Sequence, residues 1–351
     1  MRSLTYRRNA PRFLGAFVLG LAALFSSCEE KQDSPWEGAS VAEETSAIQD
    51  AADASPAESS EPVDTETPQL RDTDTPAANE VRFVSYNVKN WLTMDRYVDR
   101  KPVGSKPKPE SERDAAVTLL ARVDPDIIGL CEIGTKKDLA DFQTRLKEAG
   151  IDLPHSHHTG GVDDTRRLAI LSRYPITSTV VRDELNYELD GRTRGMGRGI
   201  LDASIETPIG PLRFLGAHLK SKREIPDADQ ELMRRAEAHL LRSTADQIIS
   251  EEPDTRLVVH GDMNDTRQSS AIRTIRGPRD GPKSLKMAYL RDSRGDTWTH
   301  FWSYQDVYSR FDYVFVTPNL LDSVRWDDCR VLDDPEWAEA SDHRALLVIF
   351  E

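Results

Sequence analysis

Polar residues of a few chemical types recur in this chain just where apolar runs stop. Asn87 follows VRFVSY, Glu132 follows IIGLC, His218 follows LRFLGA, and Asp262 with Asn264 follows RLVVHG. Asp312 opens DYVFVT, and Asp342-His343 stands ahead of RALLVIF. One such residue carries no information, because any strand must end in something polar. The set says more: carboxylates, carboxamides and imidazoles, with no clustered cysteine. Hard oxygen ligands of this kind select Mg2+, Mn2+ or Ca2+ over zinc. Loops at strand ends, held by a rigid sheet, are also where active sites are built.

The elements that must position these residues follow from periodicity. VRFVSYNV alternates like a strand from Val81 onward. Ser111 with Asp114 reads as a capping box, and Val117, Leu120 and Ala121 follow at helical spacing. Asp124-Pro125-Asp126 breaks that helix, and IIGLC is a continuous apolar run, as in a fully buried strand. Leu139, Phe142 and Leu146 mark a second amphipathic helix, closed by Gly150. LAILS, GILDASI, LRFLGAHL, RLVVHGDMN, FDYVFVT and RALLVIF read as further strands. Residues 227–250 predict a long helix with Leu232, Ala236, Leu240 and Ile248 inward. This rhythm, without an internal repeat, predicts one large α/β domain over residues 80–351, with two sheets face to face and helices outside.

Taken in order, SYNVKN, PDIIGLCEI, GAHLKSK, HGDMND, RFDYVFV and SDHRALLV resemble the motifs of the endonuclease/exonuclease/phosphatase superfamily. Its members include deoxyribonuclease I, exonuclease III and AP endonucleases, inositol polyphosphate 5-phosphatases and neutral sphingomyelinases. The resemblance spans about residues 81–351. It implies a four-layer α/β sandwich, two packed and mostly antiparallel sheets flanked by helices, and metal-dependent cleavage of a phosphate ester. By that resemblance Glu132 is the principal metal ligand, with Asn87 beside it and Asp342 as a ligand or supporting contact. Asp262 positions or deprotonates the attacking water, and Asn264 donates to a phosphoryl oxygen. Asp312 hydrogen-bonds His343, fixing its tautomer and raising its basicity. His218 binds the phosphate or helps protonate the leaving oxygen. Arg198, in RGMGRGI, stands where relatives keep a basic residue facing the phosphate, and Lys220 lies beside His218 as a further phosphate contact. Asp163 or Asp164 could partner His218. The cofactor implied is Mg2+, with Mn2+ or Ca2+ as alternatives.

Other residues invite bland readings. His155, His157 and His158 lack a nearby Cys or acidic ligand set and read as an exposed loop rather than a zinc site. Trp298, Trp302 and Tyr304 suit either stacking on bases or sugar, or packing beneath the site. His239 and His300 read as structural or surface residues. Cys131 ends an apolar run and reads as a small buried hydrophobe.

The front of the chain is different in kind. Arg2, Arg7, Arg8 and Arg12 precede an apolar run from Phe13 to Phe25, too short to span a membrane. Leu24-Phe25-Ser26-Ser27-Cys28 resembles a bacterial lipobox, which predicts a signal peptide over residues 1–27 and lipidation of Cys28. Residues 29–79 hold 14 acids against two bases, with no apolar periodicity, so residues 28–79 are expected to be a disordered acidic linker. Of the formal net charge of −14, most belongs to that linker. The expected location is therefore the cell envelope, with the membrane met through a lipid anchor. No protein partner is implied.

Nucleic acid is the expected substrate. Lys220, Lys222 and Arg223, then Arg192, Arg194 and Arg198, then Lys101, Lys106 and Lys108 lie in loops near the motifs, where they could meet a phosphate backbone. The segments GDMNDTR and YSRFDY depart from the patterns of inositol phosphatases. A sphingomyelinase-like enzyme is the alternative, and neither an exposed aromatic hairpin nor a long hydrophobic segment is evident in the sequence. A phosphomonoesterase or a non-catalytic tethered binding module stands behind these.

Overall fold

The apolar runs become the centres of two six-stranded sheets. The computed structural model describes residues 79–98, 101–182 and 185–351, so the expected signal, Cys28 and the linker lie outside the described residues. In chain order come β1 (Val81–Trp91), a hairpin of β2 (Met94–Val98) and β3 (Lys101–Lys106), α1 (Glu110–Ala121), β4 (Ile127–Ile133) and α2 (Lys136–Glu148). β5 (His155–Thr159), β6 (Arg167–Ser172) and β7 (Ile176–Thr179) lead to a second hairpin, β8 (Asn186–Leu189) with β9 (Arg192–Gly195). Next are β10 (Ile200–Thr207), β11 (Gly210–His218), α3 (Gln230–Glu251), β12 (Leu257–Asp262), α4 (Ser270–Arg276) and β13 (Lys286–Met287). A third hairpin, β14 (His300–Trp302) with β15 (Val307–Ser309), precedes β16 (Asp312–Val316) and a 3-10 turn (Pro318–Ser323). β17 (Arg330–Val331), α5 (Trp337–Ala340) and β18 (Leu346–Phe350) complete the described chain.

The first sheet has the order β17-β18-β1-β4-β6-β5 and the second β13-β16-β12-β11-β10-β7. Each carries one parallel pair at its centre, β1–β4 and β11–β12, and antiparallel neighbours elsewhere. Parallel neighbours need a crossover, and α1 and α3 supply it. The mostly antiparallel sandwich that the motifs imply is what the chain forms.

Four layers follow from what each face buries. Leu119 and Leu120 of α1, with Leu139, Phe142 and Leu146 of α2, cover the first sheet. Ala238, Leu241, Ala245 and Ile248 of α3, with Ile272 and Ile275 of α4, cover the second. Between the sheets, the Phe83 ring of β1 meets Phe214 of β11 and His260 of β12, each at 5.0 Å between centroids. The His260 ring fits because Gly129 of β4 has no side chain: a Cβ there would lie 2.0 Å from the imidazole. Burial pushes His260 down to about 3, so it is a neutral packing residue whose Nδ1 lies 3.3 Å from Ser85 Oγ. Among the described residues no helix is long and apolar enough to cross a membrane.

Several expectations need correction. α1 begins at Glu110, with Pro109 at the N-cap and no side-chain cap, so Ser111 falls inside the first turn and donates to Glu339 instead. The capping box that does form is Thr135 with Asp138, on α2. His155, His157 and His158 are not in a loop but on the edge strand β5, where His158 Nε2 lies 2.8 Å from the Gly134 carbonyl. In α3 Ile248 is buried and Leu240 packs against the core as expected, but Leu232 is 40% exposed, while Arg234, Glu237 and Arg242 are buried. Lys101 and Lys106 belong to a strand, and Lys108 is buried against Glu112. An exposed aromatic hairpin does exist: β14–β15 presents Trp302, Tyr304, Val307 and Tyr308 to solvent.

Candidate active site

Topology gathers the polar strand ends at one edge of the sandwich. β1 and β4 run in the same direction, so Asn87, opposite Cys131 in the ladder, and Glu132 finish together. In the second sheet, register places His218 beside Asp262 and Asp262 beside Asp312, a row across three adjacent strands. β18 runs against β1, so the turn that enters it brings Asp342 and His343 to the same edge.

Two ladder irregularities aim the side chains. The β1–β4 pairing shifts between Asn87 and Trp91, and the β4–β6 pairing shifts between Cys131 and Ile133. A bulge of this kind re-aims a residue that regular pleating would direct elsewhere. Glu132 sits at φ 64 and Asn264 at φ 49, a backbone region costly for residues with a Cβ. Such strain persists where the surroundings over-determine it: Glu132 accepts from the Asn90 N–H at 2.9 Å. The Asn264 N–H donates to Asp262 Oδ1 at 2.8 Å, and its amide donates to the Leu219 carbonyl at 3.0 Å.

Asp262 Oδ2 is the hub. Asn87 Nδ2 donates to it at 3.0 Å, Asn264 Nδ2 lies at 3.3 Å, His218 Nε2 at 3.4 Å and His343 Nε2 at 3.7 Å. Glu132 Oε1 lies 3.4 Å from Asn87 Nδ2 and 4.0 Å from His218 Nε2. His343 Nδ1 lies 2.8 Å from Asp312 Oδ2. Burial raises Asp262 to about 7, with the Asp312 and Glu132 charges adding and His343 opposing. Burial by itself pushes the His343 imidazolium down, but the Asp312 and Asp262 carboxylates outweigh it and raise the ring to about 10. His218 goes the opposite way, well below its ordinary value, through burial and the Arg198 charge. It is therefore a neutral ring beside Asp262 rather than half of an ion pair.

The outlying candidates are placed less directly. Arg198 Nε meets Asp163 Oδ2 at 3.4 Å, so Asp163 serves the arginine and not His218, whose Nδ1 has no partner among the described residues. Lys220 Nζ turns back to the Ser221 and Arg223 carbonyls at 3.3 and 3.2 Å. Asp342 acts through its charge on His343 and Tyr86, and its carbonyl accepts from Phe301 N–H at 2.9 Å. Of the other expected bases, Lys222 pairs with Asp265 and Arg194 with Asp227.

Sequence reading missed four supports. Ser341 donates to the Asn87 carbonyl at 2.9 Å and accepts from the His343 N–H at 3.0 Å, pinning β1 to the turn before β18. Thr299 Oγ1 accepts from the N–H groups of Phe311 and Asp312, each at 3.0 Å. The His300 ring packs against His343, tilted by 53° with 4.6 Å between ring centres. Glu237, 1% exposed, accepts from the Gly197 N–H at 3.0 Å and the Lys220 N–H at 2.5 Å. Ser341, two residues ahead of His343, was findable from its place in SDH; nothing local marks the other three.

With this geometry in view, residues 103–343 match the model of the Endonuclease/Exonuclease/phosphatase family. The chain belongs to that family. Asn87 precedes the matched range, so its place in the site rests on geometry alone. Family members are metal-dependent nucleases, phosphodiesterases or phosphatases. No match is found among curated proteins by sequence. In fold the chain resembles the endonuclease/exonuclease/phosphatase from Bacteroides vulgatus, at 18% identity and TM-score 0.54, covering 78% of this chain and 98% of that one. It also resembles truncated Caenorhabditis elegans TDP2, at 19% identity and TM-score 0.52, covering 77% and 97%. A third is the human Nocturnin catalytic domain with bound sulfate anion, at 17% identity and TM-score 0.51, covering 79% and 96%.

Family enzymes use divalent metals, and the donor chemistry here suits one. Donor atoms of Asp262, Asp312 and His343, all buried, lie within 4.8 Å of one another. Among them the Asp312–His343 contact is already a hydrogen bond, so the less committed oxygen donors lie toward Glu132 and Asn87. Cys131, the nearby soft ligand, turns its thiol to the Ala217 carbonyl at 3.6 Å, and burial raises its pKa well above the usual value.

Proposed function

We propose that this chain is a divalent-metal-dependent phosphodiesterase that hydrolyses nucleic-acid phosphodiester bonds. The observation that carries the reading is the convergence of Asn87, His218, Asn264 and His343 on Asp262 Oδ2, with Glu132 beside them. Asp262, raised to about 7, titrates where a base works at neutral pH. It orients the attacking water and takes its proton. His343, held as a cation by Asp312, gives its Nε2 proton to the leaving oxygen as the P–O bond breaks. Asn264 and the neutral His218 hydrogen-bond the phosphoryl oxygens, and Arg198 supplies positive charge on the same side. Glu132, Asn87 and Asp342 would hold the cation, Mg2+ with Mn2+ or Ca2+ as alternatives. When bound, it neutralises charge developing on the phosphoryl group.

Residues 1–28 support export and a lipid anchor at Cys28, which would place the enzyme in the cell envelope on an acidic tether. One observation favours a second reading. The hairpin β14–β15, whose His300 packs at a tilt against His343, exposes Trp302 by 47%, Tyr308 by 55% and Tyr304 by 81%. Such a surface suits stacking on bases, and it equally suits contact with a lipid interface, where a sphingomyelinase-like enzyme would act.

A substrate panel tests both. Single- and double-stranded DNA, RNA, sphingomyelin and inositol phosphates are offered with Mg2+ and with EDTA. The expected result is EDTA-sensitive cleavage of nucleic acid and little turnover of the rest. Preferential turnover of sphingomyelin would move the assignment to the second reading, and no turnover of any ester would remove the enzyme assignment.

A further inference from the structure

Beside the candidate active site three guanidinium groups surround one tyrosine. The Cζ atoms of Arg267, Arg291 and Arg310 lie 5.2, 5.1 and 5.3 Å from the centre of the Tyr289 ring. None of the three meets a carboxylate within 4.0 Å among the described residues. That is not for want of acids, since the chain holds 60 Asp and Glu against 46 Lys and Arg. Other buried arginines have one: Arg234 takes Asp265, Arg242 takes Asp246 and Arg344 takes Asp292. Asp312 acts on Arg310 only at longer range, and the Arg267 charge repels it.

Arg310 sharpens the point. It is 9% exposed and donates through Nη2 to the Ala288 carbonyl at 2.7 Å. Its Nε and Nη1 are buried and have no hydrogen-bond partner among the described residues. A buried donor left unmade is expensive, more so on a charged group. Packing on Tyr289, and on Tyr313 at 5.1 Å, supplies cation–π attraction but satisfies neither N–H. The planar fork of arginine matches the oxygens of a phosphate.

The place is as informative as the charge. Arg310 stands two residues ahead of Asp312, and Arg267 three residues after Asn264. The Tyr313 hydroxyl lies 3.0 Å from the Asp265 carbonyl and 2.9 Å from that of Arg310, able to donate to one at a time, and so ties the two loops together. Both loops thus carry residues of the catalytic cluster, Asp312 on one and Asn264 on the other.

We infer that Arg267, Arg291 and Arg310 form a subsite for a non-scissile phosphate of a nucleic-acid strand. The inference rests on the nuclease reading of the catalytic cluster and extends it to how the strand is held. A lipid headgroup is the less suitable occupant. Arg310 is recessed, and the patch contributes one half-exposed tyrosine and no exposed aliphatic side chain with which to enter a bilayer.

The test uses the full chain with Arg267→Gln and Arg291→Gln together, both exposed positions where folding is not at stake. Binding of a labelled twelve-nucleotide single strand is measured in EDTA by fluorescence anisotropy across a KCl series. Loss of two phosphate contacts should weaken binding at least tenfold at low salt and reduce the slope of log K against log salt by about 1.4, from ~0.7 per contact on a single strand. Cleavage of the same strand by the unaltered chain in Mg2+ is scored separately. Cleavage with an unchanged affinity and slope overturns the subsite and leaves the nuclease reading standing. Arginine-dependent binding without cleavage overturns the nuclease reading and leaves the subsite standing. Failure to bind the strand, or arginine-dependent capture of phosphatidylserine vesicles in its place, overturns the subsite as a nucleic-acid site.

Discussion

The two sheets share one plan and deliver opposite chemistry. Each has a central parallel pair and an antiparallel strand beside it, and each brings a buried histidine to the common edge. His343 enters the first sheet at 6% exposure, and His218 ends β11 of the second at 2%. Burial opposes the charged form of both. His343 is nonetheless raised to about 10, because Asp312 contacts its Nδ1 at 2.8 Å, while the Nδ1 of His218 faces no donor or acceptor among the described residues. Arg198 adds a repelling charge on the His218 side. Residue type therefore does not assign a proton; the balance of burial against the surrounding charges does.

Removing the two histidines in turn sharpens the contrast most. His343→Ala, like Asp262→Ala, should lower turnover by about a thousandfold or more, since each removes a group that moves a proton. His218→Ala, which removes a neutral hydrogen-bonding ring, should cost on the order of a hundredfold. Asp262→Ala and His218→Ala should unfold within a few degrees of the parent, checked by circular dichroism on heating. His343→Ala leaves Asp312 buried without its partner and should unfold earlier while folding to the same secondary structure. Equal losses for His218 and His343 would erase the distinction.

Asp312→Asn tests its cause. The substitution keeps the shape and removes the charge, so burial should then dominate and His343 should become neutral near pH 7. Turnover should fall by roughly a hundred- to ten-thousandfold, as when the orienting carboxylate of a catalytic imidazole is neutralised. A second readout follows from linkage. The folded value of about 10 lies above an unfolded value near 6.5. The stabilisation from this ring is thus fully present below about pH 6.5 and is lost as pH rises through about 10. Metal-free parent protein should lose stability over that window, and the Asp312→Asn protein should lack that part of the slope. An imidazole 15N signal still cationic at pH 9 in the variant would show that Asp312 is not the cause.

How far these roles were legible depends on whether a residue's neighbours are in its own strand. Asn87, Glu132, His218, Asp262 and Asp312 stand at the ends of apolar runs, which the sequence displays. That they share an edge follows from parallel pairing, which it does not display. β2 and β3 escaped notice because KPVGSK has neither alternation nor a buried face. α3 was misread for a physical reason. Helical periodicity assumes that apolar residues face inward, yet the inward row of α3 carries Arg234 and Glu237 because it packs on loop backbone, whose N–H and C=O groups need polar partners. The arginines around Tyr289 lie in three separate segments, so no local pattern announces them.

The smallest effect concerns that misread face, and it separates positioning from chemistry. α3 grips residue 220 by both backbone groups: Glu237 accepts its N–H and Arg234 Nη1 donates to its carbonyl at 3.2 Å. The other Glu237 oxygen accepts from Gly197, next to Arg198. One buried carboxylate thereby sets the spacing between the loop that carries Arg198 and the strand end that carries His218. Burial raises its pKa, and the two backbone donors oppose that shift. Glu237→Gln is nearly isosteric but offers one acceptor to two donors, leaving an N–H unmade at about 1–3 kcal/mol. Stability should fall by that amount, and, with Arg198 as the proposed phosphate contact and Glu237 only its support, KM should rise several-fold while kcat changes less. A drop in kcat as large as that of His218→Ala, with KM unchanged, would mean that Glu237 takes part in the chemical step.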